Sequence, residues 1–369
     1  MVIGTPMRSA VRMTAALLAV FAACGARAQE FDLKDLPAYK PATQVSGVIR
    51  SWGNDTMVDL MKYWEDGFRK HHPDIRFDDN MATTAIAVPA LSVGVADIGV
   101  MGREVWPIEL ISYLKVHKGT PLTLAVAGGT FDVENKTWAL TVFVHKDNPI
   151  SKLTMAQLDG IFGAERTGRW DETKSKWIVD ASRGPDKNIR TWGQLGLTGE
   201  WADKPIQTYG FDLTGSGFSF FFAHRVFNGG DKWNDNLKEY VGITKPGGGF
   251  LSSPPQVTAA LARDRYGIGF SGIQYNKTGE LKPIAIAADA GNYVMPTKKS
   301  VQDMSYPLSR SLYFLLNRKA GGVLDPKLKE FMTYILSREG QEAVVREGDY
   351  LPLPAHVVRE QLKKLEATR

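Results

Sequence analysis

Cysteine and long apolar runs are what this 369-residue chain lacks most plainly. Its single cysteine, Cys24, leaves no internal partner for a disulfide, so stability must come from a packed core. The most apolar stretch, Ala15 to Ala23, falls well short of the roughly 18 residues a spanning helix needs, and no other run approaches that length. Basic blocks with interleaved aromatics are missing, so the sequence pI of about 9.0 finds no nucleic-acid motif to go with it. Internal repeats and low-complexity tracts are absent as well.

The N-terminus accounts for much of the positive charge. Arg8 and Arg12 precede the apolar run, and Ala26-Arg27-Ala28 offers a small-x-small cleavage site before Gln29. Residues 1–28 therefore read as a secretory signal peptide. Their removal takes three arginines and no acid, and the formal charge falls from +5 to +2. Phe21-Ala22-Ala23-Cys24 is the competing reading, a lipid-anchor site at Cys24, but Phe stands where Leu is usual. The expectation is an exported, periplasmic chain starting at Gln29. Its roughly 340 residues suffice for a core across two domains.

Residues 29–44, with Pro37 and Pro41, read as a leader segment. From position 45 onward short apolar runs alternate with helical patterns, which predicts an α/β protein. Val45, Gly47 and Ile49 alternate as in a short strand; Leu122 to Ala127 and Trp138 to Val144 read as buried strands. Thr154 to Gln157 is a capping box opening a helix through Phe162, and the charged stretch 164–190 reads as a surface excursion. Helices are expected over Phe218 to Phe227 and Gln256 to Arg263, with strands over Tyr266 to Phe270 and Ser311 to Asn317. Two helices close the chain, the first from about 326 to 346 with a break near Ser337, the second from Pro354 onward.

Four loops carry chemistry. In Gly53-Asn54-Asp55-Thr56-Met57 a strand runs into a helix whose apolar face is Met57, Met61, Trp64 and Phe68. Asn54, Asp55 and Thr56 thus stand at a helix start, where unpaired N–H groups and the positive dipole end hold anions. Thr83 and Thr84 repeat this arrangement before Ala85. Arg103, after Gly102, can fork onto two anion oxygens. Thr214, Gly215, Ser216 and Gly217 lead into an apolar helix and let the backbone approach a ligand. The bland readings are plain N-capping by Asn54, Asp55, Thr56, Thr83 or Thr84, and an ion pair of Arg103 with Glu104 or Glu109.

Catalytic and metal readings fail on their own requirements. A nucleophile elbow at Ser216 needs Gly at 214 and 218, where Thr and Phe stand. His71-His72 are adjacent rather than a helical turn apart, and with Arg69 and Lys70 they read as a solvated helix C-terminus. Lys245-Pro246-Gly247-Gly248-Gly249 lacks the ending of a phosphate-binding loop of the Walker type. No enzyme activity, metal or cofactor is expected.

In their shared order these loops resemble the phosphate-binding (PstS-like) substrate-binding proteins of bacterial ABC importers, over residues 45–356. The residues that carry it are Gly53 to Met57, Thr84 to Ile86, Ala96-Asp97-Ile98-Gly99, Arg103, and His145 to Ile150 with Thr154 and Gln157-Leu158. They continue through Thr191 to Leu197, Gly215-Ser216-Gly217, Tyr306-Pro307-Leu308-Ser309-Arg310 and Leu336 to Gln341. The resemblance implies an α/β, two-lobed periplasmic binding protein fold, each lobe a mixed sheet flanked by helices, with a ligand cleft between lobes. Lobe 1 would comprise 45–138 and 306–369, lobe 2 139–305, with hinge crossovers near 138–144 and 296–312. It further implies a monomer that binds an inorganic anion, phosphate first, and hands it to a membrane permease. Departures from the pattern leave other oxyanions or a small organic anion open. Phe211 and Asp212 stand where an arginine is usual, Ala82-Thr83-Thr84 replaces Gly-Ser-Gly, Gly102-Arg103 replaces an Asp found in some members, and Pro89 falls in the second helix. Phe211 should also make the cleft more apolar. A non-transport role, in sensing or at a surface, is the alternative.

Overall fold

The computed structural model describes residues 31–171, 174–179, 182–289, 291–317 and 323–367; the signal peptide expected over 1–28 lies outside them. Two five-stranded sheets organise the chain. The first holds β1 (Gly47–Gly53), β2 (Ile75–Asn80), β3 (Ile98–Met101), β4 (Leu122–Gly128) and β10 (Ser311–Leu316), in the order β2-β1-β3-β10-β4. The second holds β5 (Thr141–His145), β6 (Gln207–Phe211), β7 (Lys238–Tyr240), β8 (Gly267–Ser271) and β9 (Leu281–Pro283), in the order β7-β6-β8-β5-β9. In each, four strands share one direction and one, β10 in the first and β5 in the second, runs antiparallel to its neighbours, so both sheets are mixed.

Strand composition follows burial. Residues 98–101 and 267–271 are buried along their whole length, which explains why both runs lack polar alternation. Helices cover the faces: α1 (Val58–Arg69), α2 (Ala87–Val93), α3 (Pro107–His117), α4 (Met155–Phe162), α5 (Gly217–Val226), α6 (Ser253–Leu261), α7 (Lys298–Gln302), α8 (Pro326–Ile335), α9 (Arg338–Glu347) and α10 (Ala355–Glu366). The face predicted for α1 is the buried one, Met57, Met61, Trp64 and Phe68 being at most 1% exposed. The break near Ser337 is real: Ser337 is the N-cap of α9 and its Oγ accepts from Gly340 N–H. The closing helices pack on the first sheet. Trp64 Nε1 donates to Gly340 O at 2.9 Å, and Gln361 of α10 accepts from Ala125 N–H of β4 at 3.1 Å.

The chain passes from the first sheet to the second between β4 and β5, and returns between β9 and β10. These crossovers lie side by side, with Gly129 N–H on Arg310 O at 2.8 Å and Leu140 N–H on Leu308 O at 3.1 Å. Each sheet has its own large hydrophobic core. No helix among the described residues is long and apolar enough to cross a membrane.

Local expectations fail in three places. His72 is fully buried rather than solvated; its Nε2 lies 2.7 Å from Tyr39 Oη, which also donates to Glu330 at 2.8 Å. The described part of the leader is packed for the same reason, since Leu36 and Tyr39 enter the first core. The 164–190 excursion is also anchored: Arg166 is buried and forks onto Asp159 of α4 at 2.9 and 2.8 Å. In each case a distant partner decides burial, and local composition does not reveal it.

Candidate functional site

β1, β2 and β3 run parallel, so their carboxyl ends share one edge of the first sheet. Each end leads into a helix start: Asn54 before α1, Thr83 before α2, and the Gly102–Trp106 loop before α3. In open α/β sheets this edge is where ligands settle, because unpaired N–H groups point outward there. From the second sheet, β6 ends at Phe211 and passes through Asp212 to Ser216 into α5.

The first loop is held rigidly. Asn54 is buried, and its Oδ1 accepts from Thr56 N–H at 3.0 Å and Thr56 Oγ1 at 3.1 Å. Thr56 Oγ1 lies 2.7 Å from Tyr350 Oη, and Lys136 Nζ donates to Thr56 O at 3.2 Å. Lys136 is itself anchored by Glu347 at 3.3 Å and Asp349 at 3.2 Å. Asp55 is exposed. Gly102 must be small, since a Cβ there would stand 2.0 Å from Asn54 Nδ2. One strand further out, Thr83 caps its turn, with Oγ1 facing Ala85 N–H at 3.5 Å, and Thr84 is half-buried behind it.

Arg103 takes the ion-pair alternative. Nη1 and Nη2 fork onto Glu109 at 2.9 and 2.7 Å, Nη1 also donates to Glu104 O at 3.0 Å, and the guanidinium lies 4.1 Å over the Trp106 ring. An anion at Arg103 must therefore compete with a carboxylate. The structure nonetheless brings Arg103 against α5, because a Cβ on Gly217 would lie 2.9 Å from Arg103 Cδ.

Thr214 and Gly215 are committed too. The Asp212 carboxylate accepts from Thr214 N–H at 3.0 Å, Thr214 Oγ1 at 2.8 Å and Gly215 N–H at 2.8 Å. The backbone hydrogen bond from Thr214 is the main reason Asp212 titrates below the usual carboxylate range. Ser216 Oγ caps α5 by accepting from Phe218 N–H at 3.2 Å. The open approach on this side is the first turn at Ser216 and Gly217. Phe211 does not line a cleft. It is fully buried, within 5.2 Å of Phe218, whose ring stacks on Trp138 at 4.0 Å.

Lys136, Trp138 and Arg310 are the residues sequence reasoning passed over at this site. Only Arg310 had a signal, its place at the end of Tyr306-Pro307-Leu308-Ser309-Arg310. The others act through long-range packing.

Beside the seam Lys174 lies 5.7 Å over the Phe220 ring, and it lines two cavities, of about 200 and 370 Å³, together with His224. Burial, with the field of Lys174 second, pushes the His224 imidazole down to about 4 from an ordinary 6.5. The unfolded chain then binds the extra proton between those values. Stability is complete above pH 6.5 and is lost as pH falls towards 4, by up to about 3 kcal/mol. Melting temperatures from pH 7 to pH 4 should fall less steeply for His224→Gln than for the parent. Parallel curves would place the proton elsewhere.

A family model described as a PBP superfamily domain matches residues 39–339. Phosphate-binding protein PstS of Pseudomonas aeruginosa PAO1 is 34% identical over 356 residues, which cover 96% of this chain and 98% of that protein. Phosphate-binding protein PstS of Staphylococcus aureus MRSA252 is 24% identical over 331 residues, 88% of this chain and 84% of that one. Among solved structures, PstS from Borrelia burgdorferi aligns with a TM-score of 0.52 at 14% identity, covering 84% of this chain and all of that chain. An ABC-type phosphate transport receptor from Vibrio cholerae aligns with a TM-score of 0.51 at 18% identity, covering 83% and 100%.

Proposed function

Because this chain belongs to the PBP superfamily, and within it to the PstS-type substrate-binding proteins, we propose that it is an extracytoplasmic receptor for an inorganic anion. Phosphate is the ligand we favour, since the relatives similar over nearly the whole chain carry that name. The cargo passes unchanged to the permease of an ABC importer. We divide the chain into lobe 1, residues 45–138 and 306–369, and lobe 2, residues 139–305, hinged at the paired crossovers. Export follows cleavage before Gln29.

One observation carries the reading: the carboxyl edge of the first sheet and the start of α5 meet, with Arg103 against Gly217. We assign the anion to Asn54, Asp55, Thr56, Thr83, Thr84 and Arg103 on one side, and to Thr214, Gly215, Ser216 and Gly217 on the other. A second reading, a different oxyanion or small organic anion, is favoured by Glu109 and Asp212, which already occupy donors at both sides. Calorimetry of the mature chain against phosphate, arsenate, sulfate, molybdate and phosphonates decides. Micromolar phosphate binding with closure in solution scattering is expected. Preference for another panel member supports the second reading, and silence across the panel sinks the transport function.

A further inference from the structure

Arg310 is a buried charge without a counter-ion. It is 3% exposed, its Nε has no hydrogen-bond partner, and Nη2 donates to Gly102 O at 3.3 Å. No carboxylate among the described residues lies within ion-pair distance of it. Three other arginines near the two sheets are paired with carboxylates: Arg103 with Glu109, Arg50 with Asp97, Arg166 with Asp159. Glu104 contributes a favourable field, but its own Oε1 is approached by Tyr313 Oη at 3.5 Å. Burial first, with the field of Arg103 adding to it, holds Arg310 below its ordinary pKa. Isolated buried charges are costly to keep, so a fold retaining one implies a partner that arrives later.

The position of the side chain indicates which partner. The Arg310 backbone lies in the returning crossover, one residue before β10 of the first sheet, where its carbonyl accepts from Gly129 N–H at 2.8 Å. Its guanidinium reaches across the seam and lies 5.0 Å from the ring centres of both Phe218 and Phe221, on α5. It thus stands between the carbonyl next to Arg103 and the first turn of the helix that faces Arg103. Phe218 is the second residue of α5, so any movement of that helix relative to the first sheet changes how well the guanidinium is covered.

Resting on the anion-receptor reading above, we propose that Arg310 supplies the uncommitted positive charge in the cleft and binds an oxyanion through Nε. Its planar fork suits a group with at least two oxygens, such as phosphate, arsenate or sulfate. The low-dielectric surroundings strengthen that contact relative to one made in water. Phe218 and Phe221 make the contact depend on closure, since they screen the guanidinium from solvent only when α5 is seated.

The test uses the mature chain and inorganic phosphate. In ¹⁵N spectra of the parent, the Arg310 Nε–H signal, assigned with Arg310→Lys, should shift downfield as phosphate saturates. Arg310→Met should lower phosphate affinity at least thirtyfold while leaving the unliganded melting temperature unchanged or higher, because the unpaired charge is gone. Arg310→Lys, which keeps a charge but not the fork, should lose about tenfold. A parent that binds phosphate with an unmoved Nε–H signal, or an Arg310→Met chain with parental affinity, overturns the assignment of Arg310 alone. A parent that binds no oxyanion overturns the receptor reading and this assignment with it. The parent spectrum gives its answer even if a variant does not fold.

Discussion

Gly53→Ala is expected to destroy the first sheet. Gly53 ends β1 and pairs with Val100 of β3. A Cβ there would lie 2.0 Å from Val100 O, 2.8 Å from Val100 C and 2.9 Å from Val100 N. All three atoms are backbone, and β3 is locked between β1 and β10, so neither strand can yield. Asn54 N–H donates to Val100 O at 3.0 Å, and the collision would unseat the whole first loop. Such backbone conflicts belong to the exceptional class costing more than about 4 kcal/mol. The denaturant midpoint should collapse, or the protein should fail to accumulate. Gly94→Ala is the control, because a Cβ there meets open space and only its φ of 76° opposes it. A cost of about 1 kcal/mol is expected at Gly94. Equal midpoints for the two variants would contradict the close approach at Val100.

Arg103→Ala should lower both affinity and stability. Sequence alone suggests an effect on binding only, since a surface arginine costs little to remove. The structure changes that expectation. The Arg103–Glu109 pair is largely buried, with side chains 11% and 15% exposed. Truncation leaves Glu109 charged, still accepting from Trp106 N–H at 2.8 Å but without its fork. Breaking such a pair should cost about 2–3 kcal/mol. The stranded carboxylate also repels an incoming anion, so phosphate binding should weaken by roughly tenfold to a hundredfold or more. Ser216→Ala should cost less, because the helix-start N–H groups remain. Adding Glu109→Ala to Arg103→Ala should restore stability. Affinity that is parental in Arg103→Ala would return Arg103 to a purely structural role.

Periodicity made the fold legible. The alternation of short strands with amphipathic helices gave the class, and Met57, Met61, Trp64 and Phe68 form the buried face of α1 because spacing alone sets that face. The order of loop motifs named the family that the relatives now show. Partners distant in sequence were not legible. His72 is dry because Tyr39 and Glu330 come to it, and Glu330 lies far along the chain. Asp212 was legible as a departure from the pattern, but its capture of Thr214 and Gly215 amides depends on loop conformation. At Arg103 spacing allowed both an anion and Glu109, and only the geometry of α3 decides that the carboxylate occupies the fork. Arg310 shows the limit most clearly, because nothing in a residue's type or neighbours reveals that it is buried without a counter-ion.

The placement of β10 also governs how the molecule can assemble. In the first sheet β10 lies between β3 and β4, yet in the chain it follows the entire second sheet. A ribosome or a secretion channel delivers β1 to β4 first, but they lack the strand that joins β3 to β4. The segment from β5 to β9 is contiguous and can condense from its own contacts as soon as it emerges. The first sheet must then wait for a loop closure across the entire second sheet, the kind of step that contact order makes slow. Refolding should therefore be sequential, with amides of β5 to β9 protected from exchange before those of β3 and β4.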